Sequence, residues 1–209
     1  MAQASHHRFT FVDYLRVSIP LILAALGGLD CHGKPPAQSN TKSLQLEPAI
    51  VAPPDVSLEV ACTPSGPELC FDAIDNNCNG AIDEGCGVHT GIIQFAIAWS
   101  EGDVDVDLNV TDSLGQLAQV GDVTKGGLAK DRVCSASSDA CHGQNTENVY
   151  LVEGDVPRGT YRAAVGLVSL GNAMPPIKVR FSARVGQRTW STVLELSNAK
   201  EEKVLKFSF

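Results

Sequence analysis

The chain has 209 residues, 16 of them basic and 24 acidic, giving a formal net charge of -8 and a pI near 5.0. The basic residues are scattered, so there is no electrostatic footprint for nucleic acid. A hydrophobic fraction of 44% argues against wholesale disorder, and 19 Gly with 11 Pro favour turns and strands over long helices.

Residues 1–30 read as a signal segment. Arg8 and Arg16 precede the apolar run Val17–Leu29, whose thirteen residues include Pro20. A membrane-spanning helix needs about 20. Cys31 follows at once, in a position that resembles the lipidated cysteine of bacterial lipoproteins. Two fates stay open: lipid attachment at Cys31, which places the protein at the outer membrane or in the periplasm, or secretion after cleavage near Gly27 or Gly28.

Seven cysteines without any Cys-x-x-Cys pair point to an oxidising compartment. Setting Cys31 aside leaves an even set: Cys62, Cys70, Cys78, Cys86, Cys134 and Cys141. Disulfides among these six are expected. Cys134 with Cys141 is the simplest pair, and the connectivity of the other four is open.

Residues 31–60 form a tether interrupted by Pro35, Pro36, Pro48, Pro53 and Pro54. The alternative for its end is an edge strand over Val56–Val60. Residues 61–87 then form a cysteine-rich motif. Counting Asp75 as position 1, Asn77 and Asn79 fall at 3 and 5, Gly80 at 6, the Ala81 carbonyl at 7 and Asp83 at 9. That is the ligand order of an EF-hand-like calcium loop, in which short oxygen side chains converge on one cation. Cys86 stands where a bidentate Glu would close the site, so Asp72 or Glu84 must supply the missing charge. A stapled turn without metal is the alternative reading.

The run from Glu68 through Cys70, Asp72, Asp75, Asn76, Cys78, Asn79, Gly80, Asp83, Glu84 and Gly85 to Cys86 resembles the MopE-like metal-binding motif of bacterial surface and secreted proteins. Ala73 replaces a usual Gly. The resemblance implies copper, whereas the hard oxygen donors suit calcium better. The spacing of eight between successive cysteines disfavours zinc.

From residue 91 to 209 period-two alternation dominates. Ile93, Phe95, Ile97 and Trp99 share one face of a strand; Val104, Val106, Leu108 and Val110 share one face of the next. A later strand turns Ile177, Val179, Phe181, Ala183 and Val185 inward and Lys178, Arg180 and Arg184 outward. Turn-bounded, half-buried antiparallel strands predict an all-β fold, an antiparallel β-sandwich. Trp99 with Asp103–Val110, then Thr146–Tyr150, then Pro157-x-Gly159-Thr160-Tyr161 resemble the YfaP-like β-sandwich domain of unknown function. Asn109 stands where that family has His.

Asp103, Asp105 and Asp107 would crowd one face of a strand unless a cation or a base lies opposite. A second cation site there, with Glu147 or Asp155, is one reading; solvent exposure is the other. No nucleophile elbow, zincin helix or phosphate-binding loop occurs. The expected function is therefore a non-enzymatic, calcium-binding recognition or adhesion module of the cell envelope, with a protein or glycan ligand at the cell surface. A secreted accessory or carbohydrate-binding domain of an enzyme system is the alternative.

Overall fold

The computed structural model describes residues 47–209, apart from 61, 63, 134–143 and 153. Residues 1–30, expected as a signal segment, and Cys31, Cys134 and Cys141 lie outside the described residues.

Among the described residues ten strands form, in chain order β1 (Ala49–Val51), β2 (Glu59–Val60), β3 (Ile93–Trp99), β4 (Asp105–Thr111), β5 (Leu128–Arg132), β6 (Thr146–Leu151), β7 (Thr160–Ser169), β8 (Ile177–Val185), β9 (Arg188–Leu196) and β10 (Glu202–Ser208). They make two antiparallel sheets. The first has the order β1-β10-β7-β4 and the second β2-β9-β8-β3-β6-β5. Among the described residues there is no helix.

The core lies between the sheets and is built from the alternate residues the pattern predicts. Val106, Leu108 and Val110 of β4, with Val104 just before it, face Phe95 and Ile97 of β3 and Val179 and Phe181 of β8; all are fully buried. Phe95, Phe181 and Phe207 meet at centroid distances of 5.3–6.4 Å, the spacing of favourable aromatic pairs. Tyr161, at the start of β7, is buried while its hydroxyl donates to the Pro157 carbonyl at 3.0 Å. That bond fixes the turn entering the strand.

The structure departs from half-buried alternation at β3. All seven of its residues are buried, because the cysteine-rich segment packs over the strand's outer side. Ala73 and Ile82 of that segment form a small second cluster with Ala96 and Ala98. Gly91, at the boundary, must be glycine: a Cβ there would lie 2.2 Å from the Leu151 carbonyl oxygen.

The end of the proline-rich stretch also belongs to the sandwich. β1 pairs with β10 through Ala49–Val51, and β2 pairs with β9 through Glu59 and Val60. The stretch expected as a tether thus ends in short strands that cap one edge of each sheet, the second of them inside the Val56–Val60 segment expected as the alternative edge strand. Short edge strands of this kind limit unwanted pairing.

At the opposite side β4 is an edge strand whose C-terminal end is bridged by Leu117 and Ala118, while among the described residues no strand pairs with Leu108 on that side. There the Leu108 N–H donates to Glu147 Oε2 at 2.6 Å and the Leu108 carbonyl accepts from Lys130 Nζ at 2.9 Å. Lys130 and Glu147 are buried and paired at 2.8 Å. Two side chains of the second sheet thus satisfy backbone groups that a neighbouring strand would otherwise take.

Candidate metal centre

The cysteine-rich segment has little apolar material of its own, so covalent links and backbone hydrogen bonds define it. Cys62 is joined to Cys78 and Cys70 to Cys86, each across 16 positions. The two loops overlap, and this crossing holds the segment in a series of left-handed turns at Phe71, Ala73, Cys78, Gly80 and Asp83.

Asp83, almost fully buried, accepts from the backbone N–H groups of Phe71 at 2.7 Å, Asp72 at 3.2 Å and Ala73 at 3.2 Å. Three successive amides make an anion-binding concavity, and here the anion is the chain's own carboxylate. Burial pushes Asp83 up to about 6, the Asp72 charge adds to the shift, and the amides oppose it. Glu68 is a second hub. It accepts from the Asp83 and Asn76 amides, each at 3.0 Å, and burial followed by the Glu84 charge raises its pKa. Asp72 accepts from the Ile74 N–H and the Asn76 side chain. Asp72 and Asp83 therefore sit on the structural side of the segment.

The other expected ligands group on a different side. Asp75 accepts from the Asn79 amide at 3.1 Å and the Gly80 amide at 2.9 Å. Gly80 meets this bond at φ 87°, with the Gln187 carbonyl oxygen 3.4 Å from where a Cβ would stand. Asn77 accepts from the Asn79 N–H, and Asn79 from the Ala81 N–H. The amide groups of Asn77 and Asn79 both donate to Glu84 Oε1. Glu84 Oε2 is buried with no hydrogen-bond partner.

This group rests on the outer face of the second sheet. The Ile82 backbone exchanges hydrogen bonds with the buried Gln94 side chain at 2.9 and 3.3 Å. Ser182 donates to the Ala73 carbonyl, and Thr189 Oγ1 lies 3.5 Å from Asp75 Oδ2. Arg184 is near enough for Asp75 and Glu84 to favour its charge, although burial lowers its pKa. Glu68, Gln94 and Arg184 carry roles that loop spacing does not reveal. Glu68 falls inside the motif, but Gln94 and Arg184 act from distant strands.

The groups that come together are thus two carboxylates, Asp75 and Glu84, and the side-chain amides of Asn77 and Asn79. These amides turn nitrogen to Glu84 and oxygen to backbone N–H groups, so that an amide flip would be needed to offer their oxygens to an ion beside Glu84. The orphaned Glu84 oxygen is an atom that a cation would satisfy. Among the described residues no three His, Cys, Asp or Glu side chains form a metal-holding group, so amide and carbonyl oxygens must complete any site. Oxygen donors dominate that set: among the described residues the four cysteines are joined in disulfides, and the His89 ring is engaged by Asp131 at 2.9 Å.

The second acidic row has a different solution. Asp103 stands in the loop before β4 and accepts from Asn172 at 3.1 Å. Asp105 and Asp107 project from β4, and the base across from them is Lys130, which opposes the upward push of burial and Asp107 on Asp105. Glu147 is raised to about 7 by burial, against the pull of Lys130. Asp155 has no resolved contact with this group.

Residues 59–84 match the family model Cu-binding MopE, described as a "Putative metal-binding motif". The match takes in β2 and most of the segment built by the crossed disulfides, and ends two residues before Cys86. No curated protein and no solved structure matches the chain.

Proposed function

We propose that the chain is an exported, non-enzymatic module of the cell envelope whose cysteine-rich loop holds calcium or a similar hard divalent cation. The observation that carries this reading is the buried, partnerless Glu84 Oε2 beside Asp75, Asn77 and Asn79. Few charges face the ion, and Arg184 already balances some of them. Affinity on the order of 0.1–1 mM follows, the range of extracellular calcium modules. The crossed disulfides support an oxidising location. Recognition or adhesion at the cell surface, and attachment through lipid on Cys31, complete the proposal.

The test is calorimetry on the oxidised mature chain, because the loop leans on Gln94, Ser182 and Thr189 and an excised peptide would lack that support. Calcium should bind and Glu84→Gln should weaken it, while copper(II) should give no heat sensitive to that substitution. Absence of calcium binding at about 10 mM, an order above the expected range, overturns the reading. Detergent partitioning of the native protein beside Cys31→Ser tests the anchor.

A further inference from the structure

The outer face of the second sheet is a grid whose rows follow from strand register. Gln94, Arg184 and Thr189 make one row; Ala96, Ser182 and Ser191 the next; Ala98, Arg180 and Val193 the third; Lys178 and Glu195 stand beyond. The cysteine-rich segment covers the first two rows through its bonds to Gln94, Ser182 and Thr189. It stops short of the third.

What is left is a groove. Two cavities of about 310 and 300 Å3 share Arg180 and Val193, with Phe71, Asp72 and Lys178 bordering one and Ser57, Glu59 and Thr192 the other. The floor is low because Ala98 is small and Val193 is short. Phe71 is held at its edge in a left-handed conformation, φ 67°, by the amide bond to Asp83. A bulky residue fixed at such a φ is costly and is commonest at functional positions.

The charge is the second observation. In a chain with eight more acidic than basic residues, Lys178 and Arg180 lie adjacent on one face, and neither side chain has an ion-pair or hydrogen-bond partner among the described residues. Glu195 stands opposite Lys178 in register without pairing to it. Asp72, which borders the groove, has its carboxylate engaged by the Ile74 and Asn76 nitrogens. Arg180 and Lys178, unpaired although the Asp72 and Glu59 carboxylates border the same groove, stand beside an aromatic edge and hydroxyl-bearing walls, and together match a ligand with a carboxylate, an apolar ring face and many hydroxyls.

We propose that this groove binds an acidic saccharide, a glycan bearing uronic acid, with Arg180 and Lys178 taking the carboxylate and Phe71 flanking a sugar ring. An acidic peptide fits less well. The backbone groups of β3, β8 and β9 pair with one another, so a sheet face offers an extended peptide only side chains, without the main-chain bonds that give such peptides affinity. The proposal deepens the recognition part of the proposed function and rests on it, but it does not require the loop to hold metal.

The experiment follows side-chain and backbone chemical shifts of the mature chain during titration with a hyaluronan fragment, a chitin fragment of equal length, and oligoglutamate. The hyaluronan fragment should shift Arg180 and Phe71, and chitin should bind far more weakly. Arg180→Lys keeps a positive charge on the same face but lacks the planar fork, and should lose about tenfold in affinity; the Lys178→Gln and Arg180→Gln pair should lose more. Calcium titration of the same samples should be unchanged, which separates failure here from failure of the metal reading. Absence of shifts at about 10 mM, unaltered affinity in the paired variant, or equal binding of oligoglutamate overturns the proposal.

Discussion

Lys130 and Glu147 meet at 2.8 Å inside the sandwich, and between them they hold both backbone groups of Leu108. The pair stands in for a missing strand at the edge of β4. Its substitution pattern should differ from that of an ordinary buried ion pair for that reason.

Above the neutral range, where Glu147 is ionised, Glu147→Gln leaves the Lys130 ammonium buried without its counter-charge and should cost about 3–5 kcal/mol. Replacing both residues, Lys130→Met with Glu147→Leu, is often neutral for buried pairs. Here it orphans the Leu108 N–H and carbonyl, so a loss of about 2 kcal/mol or more should persist. Urea melts of the three proteins decide it, and full recovery in the double variant rules out the strand-substitute role.

Stability should fall as pH rises through the neutral range. Asp83 is raised from 3.8 to about 6 and Glu147 from 4.5 to about 7, both first through burial. A carboxyl raised in the fold binds its proton more tightly there than in the unfolded chain. Its contribution is complete below its unfolded value and is lost as pH rises through the folded value. Thermal melts from pH 4 to 8 should show a shallower decline for Asp83→Asn than for the native protein. Parallel curves would contradict the assignment.

Removing the Cys70–Cys86 link by the paired Ala substitution should cost about 3 kcal/mol by the loop-closure relation for a loop of this size. Calcium affinity should fall with it, because Glu84 lies within that loop. Melting temperature and calorimetry on the same variant test both outcomes.

Two glycines outside left-handed geometry should respond oppositely. Gly91→Ala drives a Cβ into the Leu151 carbonyl and should destabilise by about 1–3 kcal/mol, as overpacking does. Gly102→Ala meets nothing within 4 Å and should stay within about 0.5 kcal/mol of the native protein. Denaturant midpoints distinguish them.

The strands that were legible in the sequence are those with one buried face. β4 and β8 alternate cleanly, and their inward residues form the core as expected. β3 alternates too, but nothing local announces that Gln94, Ala96 and Ala98 are covered, since the cover comes from Ala73 and Ile82. β1 and β2 lie among prolines and have only three and two residues, too few for a period to show. The loop's oxygen donors were readable as a set from their spacing. Their division was not: spacing cannot tell that the Asp83 carboxylate turns to three amides while Glu84 turns to Asn77 and Asn79. Lys130, opposite the acidic row, is more than twenty positions from Asp105 and Asp107 and reaches them only through sheet closure.

The two short strands at the chain's entry have a mechanical consequence. Tension applied at residue 47 meets the Glu47–Arg188 ion pair, then the three residue pairings of β1, then the two of β2. These yield in sequence with the Asp55–Lys203 ion pair between the two strands, and each step lifts a little apolar cover, Ile50 and Ala52 and then Val56 and Leu58, from the core. At Cys62 the load divides between two covalent routes, one through Cys78 and the other along the chain to Cys70 and across to Cys86. Asp75 and Asn77 lie off both routes. Under a pull from its tether the module would surrender its edges first and keep the first oxygens of its loop slack.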